Sequence, residues 1–101
     1  MKHVRYYFND QYLTAKEAQV VSLLRRCYTP KQIAYMYNNS NETINTIIKN
    51  IDNKLNIHHR SELLVWAMEN GFDKEGNLKG TDIFEGVQLL PLPAGAKPGD
   101  E

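Results

Sequence analysis

Cysteine is almost missing from this chain. Cys27 stands alone among 101 residues, so no internal disulfide can form and the fold must rest on its packed core. Metal-binding spacing is missing too. A zinc cage would have to draw on His3, His58, His59 or carboxylates, yet His58 and His59 are adjacent where zinc-binding histidines usually stand three to five apart. Two histidines in a polar turn are the better reading, and no metal or other cofactor is expected. No apolar run approaches the roughly 20 residues that span a bilayer, and the opening MKHVRYYFNDQY is too polar for a signal peptide. A cytoplasmic protein without a membrane partner is expected. Nor does any helix pair a strong basic face with a broad apolar one, which argues against a membrane-surface helix.

Catalytic constellations are absent as well. There is no glycine-rich phosphate loop. Ser22, Ser40 and Ser61 are scattered over helix and cap positions, and the histidines lack a carboxylate partner at a suggestive spacing. No catalytic residues are assigned, and the chain is not expected to be an enzyme. Net charge is formally zero, which at first argues against nucleic acid. The distribution changes this: residues 1–72 carry nine basic and six acidic side chains, a net of +3, and residues 73–101 carry three and six, a net of −3. A mildly basic body with an acidic tail is compatible with DNA.

What the sequence does contain is a set of clear helix starts. Thr14-Ala15-Lys16-Glu17 is a capping box, with Leu13 and Ala18 placed as a hydrophobic staple. It opens a helix to about Arg26 that buries Val20, Val21, Leu23 and Leu24. Thr29-Pro30-Lys31-Gln32 is a second box, with proline at the first helical position, where its missing N–H costs nothing. That short helix runs to about Tyr37, with Ile33, Ala34 and Tyr37 inward. Ser40 opens a third helix, in which Ile44, Ile48, Ile51 and Leu55 fall on one narrow stripe. Asn56 ends it, because asparagine tolerates the left-handed conformation. A fourth runs from Arg60 or Ser61 to Asn70, with Gly71 as terminator. At 101 residues there is room for one domain.

The flanks read less sharply. Residues 1–12 form an N-terminal arm in which His3 to Phe8 is a short strand or extended. Residues 73–101 form a C-terminal tail: a polar loop from Asp73 to Gly80, β character over 81–90, and disorder from Pro91 to Glu101, which holds three prolines and two glycines. One arrangement for the flanks pairs His3–Phe8 with Ile83–Leu90 as a ribbon.

The stretch from Leu13 to Phe72, about sixty residues, resembles the LuxR-type helix-turn-helix of the GerE/NarL/FixJ output domains. The resemblance is carried by Leu13-Thr14, Lys16-Glu17, Val20-Val21, Leu23-Leu24, Ile33-Ala34, Ser40, Thr43-Ile44, Asn50-Ile51, Lys54-Leu55, Arg60, Glu62-Leu63, Ala67 and Gly71. No pair is specific alone; the ordered set at the right spacing is. It implies an all-α, four-helix domain over residues 13–72, with the third helix entering the major groove and the fourth dimerising. Only twelve residues precede Leu13, where most members carry a receiver or ligand-binding domain. A stand-alone output domain is therefore expected.

The resemblance implies that Asn45, Thr46 and Lys49 face base edges, and their chemistry suits it. Asn45 can pair with adenine N6 and N7, the Thr46 methyl can meet a thymine methyl, and Lys49 can reach guanine O6 and N7. Lys31, Thr43, Lys54 and Arg60 are the expected phosphate contacts, and Leu63, Leu64, Trp66 and Ala67 the expected dimer interface. The chain departs from the family pattern at Ile47, where histidine is usual, and at Asn45, often a base. It departs again at Asn39, Glu42 and Cys27, the last standing where glycine is usual. If position 27 keeps a positive φ, cysteine there costs about 1 kcal/mol relative to glycine. Phosphate neutralisation supplies most non-specific affinity, and three or four cationic contacts per protomer give roughly 6–8 in a dimer. A monomer would bind poorly, so a homodimer on duplex DNA is expected, its two recognition helices about 34 Å apart. The alternative is an interaction module that kept the fold, lost DNA binding and sequesters another regulatory protein. Ile47, Tyr6-Tyr7-Phe8, Tyr35-Met36-Tyr37 and Trp66, if exposed, would mark such an interface.

Overall fold

A computed structural model describes residues 4–100. The order is β1 (Arg5–Phe8), β2 (Gln11–Thr14), α1 (Ala15–Arg25), α2 (Pro30–Tyr37), α3 (Asn41–Leu55), α4 (Arg60–Glu69), β3 (Asn77–Leu78) and β4 (Thr81–Asp82). The first three helices begin at their capping signals. The Thr14 hydroxyl accepts from Glu17 N at 3.2 Å and the Glu17 carboxylate accepts from Thr14 N at 2.9 Å. Thr29 and Gln32 repeat the exchange at 3.1 and 3.0 Å. Ser40 accepts from Thr43 N at 3.1 Å. Each cap satisfies amides that the helix itself leaves unpaired. The fourth helix starts without such a cap, since His59 makes no side-chain capping bond.

All four helices end on the same device, a left-handed residue just past the last turn. These are Cys27 (φ 73°), Asn38 (55°), Asn56 (53°) and Gly71 (93°). The following amide reaches back to the last turn in each case: Tyr28 N to Leu23 O, Asn39 N to Ala34 O, Ile57 N to Asp52 O and Phe72 N to Ala67 O, at 2.9–3.0 Å. These bonds satisfy carbonyls that would otherwise be stranded. A side chain at Gly71 is excluded twice over, by φ and because its Cβ would stand 2.7 Å from Lys79 Cγ. Position 27 thus keeps a positive φ with a side chain attached.

The fold is not strictly all-α. The arm is one half of a hairpin, with β1 and β2 antiparallel in the register Arg5↔Thr14 to Phe8↔Gln11. Asn9 and Asp10 make the turn, Asn9 at φ 54°, as a two-residue hairpin loop requires at its first position. The pleat sends Phe8 and Leu13 into the core and leaves Arg5, Tyr7 and Tyr12 on the outer face. The ribbon between His3–Phe8 and Ile83–Leu90 therefore does not form; His3 itself lies outside the described residues. Within the span 81–90, only Thr81 and Asp82 are in a strand, and they pair with Asn77 and Leu78.

α1 is the centre of the molecule. Every residue from Glu17 to Leu24 is buried, polar ones included, because other elements cover the helix on all sides. The amide of Gln19 spans two of them: it accepts from the Tyr37 hydroxyl at 2.7 Å and donates to Ile83 O at 3.3 Å. Burial pushes the Tyr37 hydroxyl above its ordinary pKa, against a weaker pull from the Arg26 guanidinium. The hairpin joins this core through Phe8, whose ring meets Trp66 at 4.8 Å and Phe72 at 6.1 Å between centroids.

Residues 91–100 are docked, contrary to the expectation of a disordered tail. Leu90 N donates to Met36 O at 2.8 Å, and the chain then runs back along α2 to its first turn. There Gln32 holds it: its Nε2 donates to Lys97 O and Asp100 O at 2.8 and 2.9 Å, and its Oε1 accepts from Gly99 N at 2.9 Å. Leu89 and Leu92 pack on the core from this segment. The radius of gyration, 13.0 Å, is that of a compact domain of about 100 residues.

Candidate nucleic-acid interface

The site is built on α3 and on the three-residue turn, Asn38 to Ser40, that joins it to α2. Fifteen residues make α3, about 22 Å at 1.5 Å per residue. Its inner stripe is anchored by Ile44, Ile48 and Ile51, all buried. The opposite side is polar because the 3.6-residue period carries it away from the core. There Glu42, Asn45, Thr46, Lys49, Asn50 and Asn53 are exposed. A helix with side chains is roughly 10–12 Å across, which matches the major groove.

Asn45, Thr46 and Lys49 thus share one solvent-facing surface. Beside them a shallow depression of about 280 Å³ is lined by Ser40, Glu42, Thr43, Thr46 and Ile47. Among the described residues, neither Lys49 nor Asn45 is tied to another side chain. The four residues expected at phosphates are not equivalent. Lys31 is exposed on the first turn of α2, and Arg60 on the first turn of α4. Thr43 is exposed but its hydroxyl is bonded to Ser40 Oγ at 2.9 Å. Lys54 is half-buried and engaged, its Nζ 2.6 Å from the Glu17 carboxylate and 4.5 Å from the centre of the Tyr12 ring. That pair holds the C-terminal half of α3 against α1, so the charge of Lys54 is already largely answered. Burial raises the Asp52 carboxyl pKa, while Arg60 and His58 pull it down; Arg60 therefore shares its field with an acid on the flank of α3.

Lys16 was not among the expected site residues, although it stands in the first capping box. It donates to Asn39 Oδ1 at 3.2 Å and lies 4.0 Å from the centre of the Tyr37 ring, tying the first turn of α1 to the α2–α3 turn. Partial burial there lowers its pKa.

On α4 the residues expected at a dimer interface differ in exposure. Leu63 and Ala67 are wholly buried and belong to the protomer's own core. Trp66 is half-buried in the aromatic cluster with Phe8 and Phe72. The surface that α4 offers is Leu64, half-buried, with Val65 and Met68, about half exposed at 50% and 51%. On a helical wheel Val65 falls opposite Leu63 and Ala67 with Met68 beside it, but Leu64 stands only about 60° from Ala67, so the period alone marks the free side incompletely. The exposed aromatic cluster required by the interaction-module reading does not exist as such. Phe8 and Met36 are buried, and Tyr6, Tyr37, Ile47 and Trp66 pack on the core. Tyr7 and Tyr35 alone of that set are exposed.

Among the described residues no helix is long and apolar enough to cross a membrane. No curated protein and no solved structure matches the chain. The family model for bacterial regulatory proteins of the luxR family (GerE) matches residues 11–67, a span that takes in β2, all of α1 to α3 and most of α4. With more than half its length matched and the helices in place, the chain belongs to the LuxR family of bacterial regulatory proteins, and its helix-turn-helix is that of a DNA-binding transcription regulator.

Proposed function

We propose that the protein regulates transcription by binding duplex DNA as a homodimer, with α3 in the major groove. The observation that carries this reading is the division of α3 itself: isoleucines at 44, 48 and 51 hold one side in the core, and Asn45, Thr46 and Lys49 stand together on the other. Asn45 and Lys49 read adenine and guanine edges, and Thr46 meets a thymine methyl. Lys31 and Arg60 supply charge to the phosphates, Thr43 a hydroxyl. Lys54 acts by fixing the pitch of α3 against Glu17 more than by its own charge. The dimer forms through Leu64, Val65 and Met68 of α4, with Leu63 and Ala67 supporting from beneath.

The test is selection of genomic fragments by the purified protein, followed by affinity measurements on the selected duplex. Asn45→Ala with Lys49→Ala should cost about 2–6 kcal/mol of discrimination, on the order of 1–3 kcal/mol per base-reading side chain. Full retention of sequence preference in the double variant would remove α3's outer face from the role. A flat salt dependence in the parent protein would instead favour the protein-interaction module, because phosphate binding makes affinity fall steeply with salt.

A further inference from the structure

The outer face of the β1–β2 hairpin carries a stripe of cations and aromatic rings that the helix-turn-helix does not use. The pleat sets Arg5, Tyr7 and Tyr12 on it. Tyr12 is the junction between the hairpin and α3: the Arg5 guanidinium lies 4.7 Å from its ring centre and Lys54 Nζ, from α3, lies 4.5 Å from it. The Tyr7 ring stands 5.8 Å from that of Tyr12 and is 64% exposed. Beyond β1, away from α3, a cleft of about 280 Å³ separates the hairpin from β3–β4, lined by Arg5, Tyr6, Tyr7, Lys79 and Thr81 among others. The stripe thus runs from Lys54 across Tyr12 to Arg5 and Tyr7, and Lys79 borders it across the cleft, exposed but with its Nζ 5.4 Å from the centre of the Phe8 ring.

Its unpaired charge is of one sign. Lys54 is answered by Glu17. Arg5 and Lys79 have no ion pair among the described residues. The carboxylates nearby are turned elsewhere: Asp10 sits in the turn at the far end of the hairpin, and Asp82 Oδ1 accepts from Phe84 N at 2.8 Å. A large exposed tyrosine beside unpaired cations suits a polyanion better than an apolar partner, since a buried apolar contact would strand both charges.

We propose that this hairpin face is a second contact surface for the sugar-phosphate backbone of the same duplex that α3 enters, with Arg5 and Lys79 at phosphates and the Tyr7 hydroxyl donating to a phosphate oxygen. It rests on the DNA-binding reading of α3 and extends the footprint past the groove. The stripe adjoins the C-terminal half of α3 through Lys54, on the flank of that helix, which is where backbone passes when a helix lies in the major groove. Contacts of this kind add affinity and salt dependence without adding sequence preference.

The experiment measures binding of a labelled mixed-sequence duplex, two to three helical turns long, from roughly 50 to 200 mM salt. The parent protein is compared with Arg5→Ala, Arg5→Ala/Lys79→Ala, Lys49→Ala and, as an exposed cation outside the stripe, Lys74→Ala. The plot of log affinity against log salt should be shallower by about 0.9 for Arg5→Ala and by about twice that for the double variant, with Lys74→Ala unchanged. Sequence preference on a selected site should persist in the double variant and drop in Lys49→Ala. An unchanged slope in the double variant, with Lys49→Ala still impaired, overturns the hairpin contact alone and leaves its face to a protein or a second copy of the chain. Equal losses for Lys74→Ala and Arg5→Ala overturn it too, reducing the effect to net charge. Absence of binding by the parent protein at low salt overturns both this proposal and the reading of α3.

Discussion

The residues that end the helices do not cost the same. Gly71 takes its left-handed φ freely, and Asn38 and Asn56 tolerate it, whereas Cys27 holds φ 73° with a Cβ attached. Its side chain is exposed, so nothing in the packing repays that strain. Cys27→Gly should therefore stabilise the protein by about 1 kcal/mol, less the entropy glycine adds to the unfolded chain. A urea titration reads this as a higher midpoint with an unchanged slope; an equal or lower midpoint would refute it. The caps that start the helices were legible residue by residue, because Thr14 with Glu17 and Thr29 with Gln32 satisfy one another within a single turn. The second role of Gln32 was not legible. Nothing local announces that its amide also holds Lys97, Gly99 and Asp100, some 65 residues away.

Among the elements, α3 and α4 show how far periodicity reaches. The isoleucines of α3 define its inner side without ambiguity, so its outer side was legible from the sequence. Apolar residues surround α4, and periodicity then says less about which of them a partner meets. Burial takes Leu63 and Ala67 into the core and leaves Leu64 half-buried and Val65 and Met68 exposed. If that face dimerises, Val65→Lys with Met68→Lys should weaken self-association at least about tenfold, since burial of each such side chain contributes around 1.5 kcal/mol or more. Sedimentation equilibrium measures the association, and duplex affinity should fall with it. An unaltered dimer would place the interface elsewhere. The hairpin is the element that sequence periodicity underreads. Its Asn9-Asp10 turn and inward Phe8 and Leu13 are a hairpin signal, but each strand is only four residues long. So short a pair is stable only against a core, which Phe8 reaches through Trp66 and Phe72.

At the scale of the whole molecule, the C-terminal segment belongs to the fold. It covers α2 from Met36 to Gln32 and brings Leu89 and Leu92 to the core. Ending the chain after Gln88 should cost about 2–4 kcal/mol, from two half-buried leucines and the hydrogen bonds of Gln32 and Met36. Chemical denaturation would show this as a lower midpoint, and a truncated chain as stable as the full one would mean that the strap contributes nothing. By itself the sequence determined the four helices, their caps and the polar face of α3, because capping and the 3.6-residue period act over one to four turns. Only the tertiary structure decided which side of α4 is free, that β1 pairs with β2, and that the proline-rich tail docks. Those outcomes depend on surfaces that exist only once α1 is covered, and no local pattern encodes a surface made by residues distant in the chain.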